Sequence, residues 1–268
     1  MTAPAAAGLP PMPLAQRVRF GRLWIDSLTF AAALDAIDDL VAAGGGGAVF
    51  TPNVDHVVRV DSDPRFRAAY ARANLSLVDG QPLVWASRLL GHPLPEKISG
   101  SDLVEPLMER AGKRGWRVFL LGGAPGSARA AAEKWTLAHR VIIAGIEDGR
   151  IGPERGPADD ALLARIAAAR PQLLLVSLGS PKQEIWIDER RDRLGPAVAV
   201  GVGASLDFVA GKVRRAPRWM RRSGLEWFFR LLQEPRRLAG RYLWNDPKFA
   251  AILLRTWLAS PATRRISR

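Results

Sequence analysis

Val78-Asp79-Gly80-Gln81 ends an apolar run with a carboxylate set directly before a glycine. At the carboxyl end of a buried strand, Asp79 could act as a general base or hold a ribose hydroxyl. The same residues also spell a plain Asp-Gly turn. Thr51-Pro52-Asn53 ends a second apolar run. Pro52 keeps Thr51 out of the helical region, so a hydroxyl and an amide face whatever lies beyond. Asn53 is equally suited to N-cap a following helix. A third run enters Gly122-Gly123-Ala124-Pro125-Gly126-Ser127, where Gly122, Gly123 and Gly126 would let backbone N–H groups approach a phosphate at a helix start. The full G-x-G-x-x-G fingerprint is missing, so NAD is not specified. Glu147 and Asp148 follow at a spacing suited to a ribose contact, though in a glycine-rich turn. A fourth run opens into Gly179-Ser180-Pro181-Lys182-Gln183-Glu184, with Pro181 suited to a first helical position and Lys182 and Gln183 projecting where anions are favoured. A fifth ends at Gly201-Val202-Gly203-Ala204-Ser205, with Asp207 shortly after. Strand ends so rich in Gly, amide and hydroxyl groups, Ser180 and Gly203 among them, describe one polar cleft.

Holding these groups side by side takes a layered scaffold. Six apolar segments read as strands buried on both faces: Ala48–Thr51, Leu75–Val78, Arg117–Leu121, Val141–Gly145, Leu173–Leu178 and Ala197–Val202. Helical patterns separate them, so residues 17–211 are expected to form a Rossmann-like α/β domain with a largely parallel sheet. Ligands of such sheets sit beyond the carboxyl ends of the strands. Residues 1–16, rich in Ala and Pro, read as a disordered leader without the basic start of a signal peptide.

Two other patterns are decoys. Asp61-Ser62-Asp63 looks like a D-x-D metal motif, but Asp63-Pro64 before a helical stretch reads as an N-cap followed by Pro at the first helical position. His56, His92 and His139 are dispersed, without metal-site spacing. His56, next to Asp55 on the helix after the first strand, reads as a solvated position or a specificity element. No metal or other cofactor is expected.

The chain has 268 residues, no cysteine and a formal charge of +13. Disulfides and thiolate metal sites are excluded. No apolar run approaches the roughly 18 residues of a spanning helix. Nearly all the charge lies in residues 212–268, where fifteen Lys and Arg face only Glu226, Glu234 and Asp246, alongside four tryptophans and three phenylalanines. Ser223 and Glu226 have capping-box spacing, and Leu225 to Leu232 place a broad apolar face on the helix that follows. Pro235 ends that helix, and a second basic segment follows. A basic, aromatic helical appendage suits an anionic membrane surface. It could equally pack on the core with arginine stems covering apolar surface. A pI of about 11.2 also admits a nucleic-acid binder, and the α/β core admits a nucleotide-dependent oxidoreductase.

Taken in order, the motifs resemble those of the WecG/TagA/CpsF family of bacterial glycosyltransferases. They are Thr51-Pro-Asn53, Val78-Asp79-Gly80, Gly100-Ser-Asp102, Val118-Phe-Leu-Leu-Gly-Gly123, Gly179-Ser-Pro-Lys-Gln-Glu184 and Gly201-Val-Gly203, then Lys212-Val-Arg-Arg-Ala-Pro217, Gly224-Leu-Glu-Trp227 and Arg230-Leu-Leu. The likeness runs from about Phe20 to Leu243. It implies an inverting transfer of a sugar from a UDP-sugar to an undecaprenyl-diphosphate-linked saccharide, in cell-envelope or exopolysaccharide synthesis, without a divalent metal. It implies that Asp79 is the base, that Thr51 and Asn53 lie near sugar and acceptor, and that Gln183 lines the nucleotide cleft. It further implies a protein on the inner face of the cytoplasmic membrane, with Arg214, Arg215, Arg221 and Arg222 at the diphosphates. The sugar, the exact acceptor and the oligomeric state stay open, a homo-oligomer included.

Overall fold

The computed structural model describes residues 17–149, 156–217, 219–220, 225–233 and 235–259. The expected leader, Ser223, Arg221 and Arg222 lie outside the described residues.

The six apolar segments form one parallel sheet. β3 (Gly47–Phe50), β4 (Leu75–Ser76), β5 (Arg117–Gly122), β6 (Ile142–Glu147), β7 (Leu173–Ser177) and β8 (Val198–Gly201) line up in the order β4-β3-β8-β7-β5-β6. Successive side chains feed opposite cores. Leu173, Leu175, Val198 and Val200 join one cluster with Val118 and Leu120. Leu174, Val176, Ala197 and Ala199 join the other with Phe119 and Leu121. Both faces are therefore dry, which is why the strands read as continuous apolar runs instead of alternating ones.

Helices cover both faces. α1 (Phe30–Ala43), α5 (Gly100–Arg114), α6 (Ser127–His139) and α9 (Ser205–Val209) pack with the first cluster. α2 (Val54–Ser62), α3 (Pro64–Ala71), α4 (Gln81–Leu89), α7 (Pro157–Ala169) and α8 (Lys182–Arg190) pack with the second. Parallel connection forces every carboxyl end to the same edge. Along that edge the sheet order places Asp79 after β4, then Thr51 and Asn53, Gly203, Ser180 to Gln183, Gly122 to Gly126, and Asp148 after β6.

One element escapes the apolar-run reading. Residues 17–26 form a hairpin, β1 (Arg17–Phe20) against antiparallel β2 (Leu23–Asp26). Its signal is present in the alternation of Val18, Phe20, Leu23 and Ile25, all buried, with Gly21 at the turn. Asp26 fastens it to the sheet, accepting from Arg17 Nε at 2.6 Å and from the Ser76 N–H at 2.6 Å.

Beyond residue 211, α10 (Glu226–Gln233) is followed by a 25-residue helix, α11 (Pro235–Ala259), which runs through Pro247. Pro235 thus separates two helices, as expected, but the second basic segment belongs to a long helix that docks on the core. Ile252 is 3 % exposed and sits in the second cluster, with Phe249 and Leu253 packed against it. Thr256 Oγ1 accepts from the Gly21 N–H at 2.9 Å, and Arg255 pairs with Asp61 at 3.1 Å. Leu254, Trp257 and Leu258 on the same helix face solvent. No helix among the described residues is long and apolar enough to cross a membrane.

Candidate active site

After β3, Pro52 disfavours the helical region for Thr51, and the chain turns into α2 at Asn53. Asn53 Oδ1 accepts from the Asp55 N–H at 3.0 Å, and the Asn53 N–H is 3.1 Å from His56 Nδ1, a reciprocal cap. Asn53 therefore does cap the helix. Thr51 is buried beneath the start of α5, where a Cβ on Gly100 would lie 3.3 Å from its Oγ1. Next door, the Asp79 N–H donates to the Pro52 carbonyl at 2.8 Å. A Cβ on Gly80 would lie 3.8 Å from that of Asn53. Asp79, Thr51 and Asn53 are thus brought together by two neighbouring strand ends.

Behind them lies a buried polar group that the sequence does not announce. His56 is 5 % exposed, not solvated. It stacks on Phe66 at 5.5 Å and meets Tyr70 edge-on at 6.1 Å. Its Nε2 is 3.4 Å from Oε1 of Glu184, which is 1 % exposed. Burial pushes the Tyr70 phenol well above its usual range, and the carboxylates of Glu184, Asp79 and Asp55 add to the rise. The α-helical period could have flagged His56, since Val57 and Val60 on the same helix are also buried.

From β8 and α8 come Gly203 and Gln183. Gln183 is buried; its Nε2 donates to Glu184 Oε1 at 2.9 Å, and its Oε1 accepts from the Gly203 N–H at 3.0 Å. Ser177 Oγ donates to the Gly203 carbonyl. Ser180 precedes a cis peptide to Pro181, and its hydroxyl is buried without a hydrogen bond. Lys182 is exposed beside it.

The glycine loop after β5 is shaped as expected but differently occupied. Gly122 has φ +91°, and a Cβ there would sit 2.6 Å from the Ser177 carbonyl oxygen. Only glycine fits such a site. Yet the loop amides already hold carboxylates of the protein itself. The Ala124 N–H donates to Asp207 Oδ1 at 2.8 Å, and the Ala128 N–H donates to Asp148 Oδ1 at 2.8 Å. Gly126 N-caps α6 without a side-chain partner. Asp148, a ribose candidate in the sequence, is thus engaged at a helix start, and Glu147 pairs with Arg165.

Cations reach this edge from the segment after α9. Lys212 Nζ donates to the Pro125 carbonyl. Arg215 Nη2 meets Asp102 Oδ1 at 2.7 Å and Nη1 donates to the Ser101 carbonyl at 3.2 Å. Lys97 joins Asp102 at 3.4 Å and Glu226 at 3.3 Å. This cluster ties α5, the basic segment and α10 together. Burial alone would raise the Asp102 carboxyl, but the Ser99 hydroxyl, Arg215 and Lys97 reverse that and hold it below its usual value. Arg214 is exposed. The D-x-D decoy resolves into structural roles. Asp63 caps α3 by accepting from the Arg65 and Phe66 N–H groups, while Asp61 lies between Arg22 and Arg255.

The carboxyl edge of this parallel α/β sheet gathers a carboxylate, an amide and a hydroxyl at two neighbouring strand ends, with a glycine loop further along the same edge, and the chain matches one family over most of its length. Residues 18–263 fit the model of the glycosyl transferase WecG/TagA/CpsF family, so the protein belongs to that family and is a glycosyltransferase. A Bacillus spizizenii (strain ATCC 23059 / NRRL B-14472 / W23) protein is 36% identical over 216 residues, 80% of this chain and 81% of its own length. That relative is named N-acetylglucosaminyldiphosphoundecaprenol N-acetyl-beta-D-mannosaminyltransferase.

Proposed function

We propose that the enzyme transfers an N-acetylmannosamine-type sugar, with inversion, from its UDP-activated form to an N-acetylglucosaminyl group carried on undecaprenyl diphosphate, in cell-envelope polysaccharide synthesis. The observation that carries this is the placement of Asp79 against Asn53 and Thr51, at the edge where α/β sheets bind ligands, in a chain with such a relative. The acceptor hydroxyl attacks the anomeric carbon, its proton passes to Asp79, and the bond from that carbon to the UDP oxygen breaks. Negative charge grows on the departing diphosphate, where fixed donors and cations lower the barrier. Lys182, Lys212, Arg214 and, once recruited from Asp102, Arg215 lie on the side where that charge develops, with Arg221 and Arg222 close by in sequence. These cations take the place of a divalent metal, so EDTA should leave the rate unchanged.

The acceptor's lipid requires a membrane surface. Exposed Trp219, Phe228 and Leu232, next to the basic segment, supply apolar and cationic contacts for the inner leaflet. Incubation with a panel of UDP-sugars and a lipid-diphosphate-linked N-acetylglucosamine, followed by mass spectrometry, tests the reading. The expected product is larger by one N-acetylhexosamine and forms from UDP-N-acetylmannosamine. Absence of any glycosylated lipid with every donor would sink it.

A further inference from the structure

We infer that Glu184 and His56 are positioning residues of this active site: one buried carboxylate holds the two walls of the cleft in register, through Gln183 on one side and through the His56–Asn53 cap on the other. The inference rests on the reading above, in which Asp79 takes the acceptor's proton, and on the place in the nucleotide cleft that the family resemblance implies for Gln183.

Glu184 is a poor choice for packing alone. A buried carboxylate must be compensated by its neighbours, and an apolar side chain of similar volume is commonly no less stable. Compensation here is incomplete: Oε1 takes the Gln183 amide at 2.9 Å and faces His56 Nε2 at 3.4 Å, while Oε2 is buried without a hydrogen bond. Both contacts of Oε1 lead to the cleft. On the β8 side it draws Gln183 Nε2 inward, so Gln183 Oε1 must be the atom that meets the Gly203 N–H at 3.0 Å. Glu184 and the Gly203 N–H fix that orientation from both sides, since the flipped amide would set an acceptor against Glu184 and a donor against the N–H.

On the β3 side the carboxylate favours a proton on His56 Nε2, which leaves the Nδ1 lone pair for the Asn53 N–H at 3.1 Å. Nδ1 is also 2.8 Å from Asn53 Oδ1. The ring's tautomer thus selects which Asn53 group is held. Pro52, joined to Asn53, receives the Asp79 N–H at 2.8 Å. A chain of contacts therefore links Gly203 and Gln183 to Asn53 and to the backbone of Asp79. The distance between nucleotide and base, to which transfer is most sensitive, is set through Glu184.

Full-length variants test this. Glu184→Leu should fold with a melting temperature at or above that of the parent, yet lose at least tenfold in kcat. Glu184→Gln, which keeps an acceptor oxygen, should stay within about threefold. His56→Gln restores the ordinary glutamine of a capping box but breaks the link to Glu184. It should match the parent in melting temperature and resemble Glu184→Leu in kcat. Parent-like kcat and KM in Glu184→Leu, or full activity in His56→Gln, would overturn the inference and leave His56 as a helix cap. Nitrogen NMR of the His56 ring gives a readout independent of turnover. A single fixed tautomer in the parent that is lost in Glu184→Leu supports the pair; an unchanged ring spectrum refutes it. If the parent transfers no sugar at all, the functional reading has failed, and the NMR comparison still decides whether the pair exists.

Discussion

At the β3–β4 end of the cleft a helix start is capped by its own asparagine, with a buried histidine and glutamate behind it. At the β5 end α6 starts on a glycine with no side-chain cap, and carboxylates reached from other elements, Asp207 and Asp148, fill the loop amides. Both ends are strand-to-helix turns of one parallel sheet. Their local electrostatics differ because one uses a short-range cap and the other uses long-range acids. A helix start attracts anions, and here the second has been taken by the protein's own. A diphosphate placed there meets two negative charges, so countercharge has to come from outside the core. On the function proposed above, the basic segment supplies it, beginning with Lys212, which already reaches the Pro125 carbonyl.

The contrast breaks first at Asp79. Asp79→Asn should lower transfer by about 10²–10⁴-fold while leaving UDP binding by calorimetry and the melting temperature near the parent's. Turnover within a few-fold of the parent would move the base elsewhere. Next comes the support beneath that wall, since α11 packs on α2. Ile252→Ala should cost about 2–5 kcal/mol in denaturant unfolding, with kcat falling as the capped helix loosens. An unchanged midpoint would mean that α11 does not brace the cleft in solution.

The glycine-loop end is tested by Asp207→Ala. Removing the acceptor of the Ala124 N–H should cost about 1–3 kcal/mol without strengthening UDP-sugar binding. A clear gain in donor affinity would show that the loop is a diphosphate site held closed by Asp207, and the two ends would then be alike. The smallest effect concerns Asp102. Its folded-state value is depressed, so its contribution is present above the unfolded value of about 3.9 and is lost as pH falls through the lower folded value. Between pH 5 and 3 the parent should lose up to about 1 kcal/mol more than Asp102→Asn. Parallel pH curves for the two proteins would remove Asp102 from the ion cluster.

Much of the frame was legible because burial on both sheet faces writes itself as uninterrupted apolar runs. The six strands from Gly47 to Gly201 sit within a few residues of those runs. The hairpin at residues 17–26 was not, because its alternation is only four residues long on each side and its charged positions mask the buried ones. Capping roles at Asn53 and Asp63 were also readable, since a short polar side chain before a helix has few other uses. The burial of His56 was missed for a different reason. Next to Asp55 it looks solvated, although Val60 one turn on lies on its face, and Phe66, Tyr70 and Glu184 from α3 and α8 enclose it.

What the residues determine by themselves is local: periodicity, caps, glycines after the strands, and the concentration of cations after residue 211. What only the tertiary structure decides is which groups meet. Asp207 and Ala124 are 83 positions apart, Arg215 and Asp102 are 113 apart, and Gly21 and Thr256 are 235 apart. Contacts over such separations depend on the order in which strands enter the sheet, and no local pattern encodes that order. The same Gly-rich loop that reads as an open phosphate cradle is, once folded, already held by the protein's own acids.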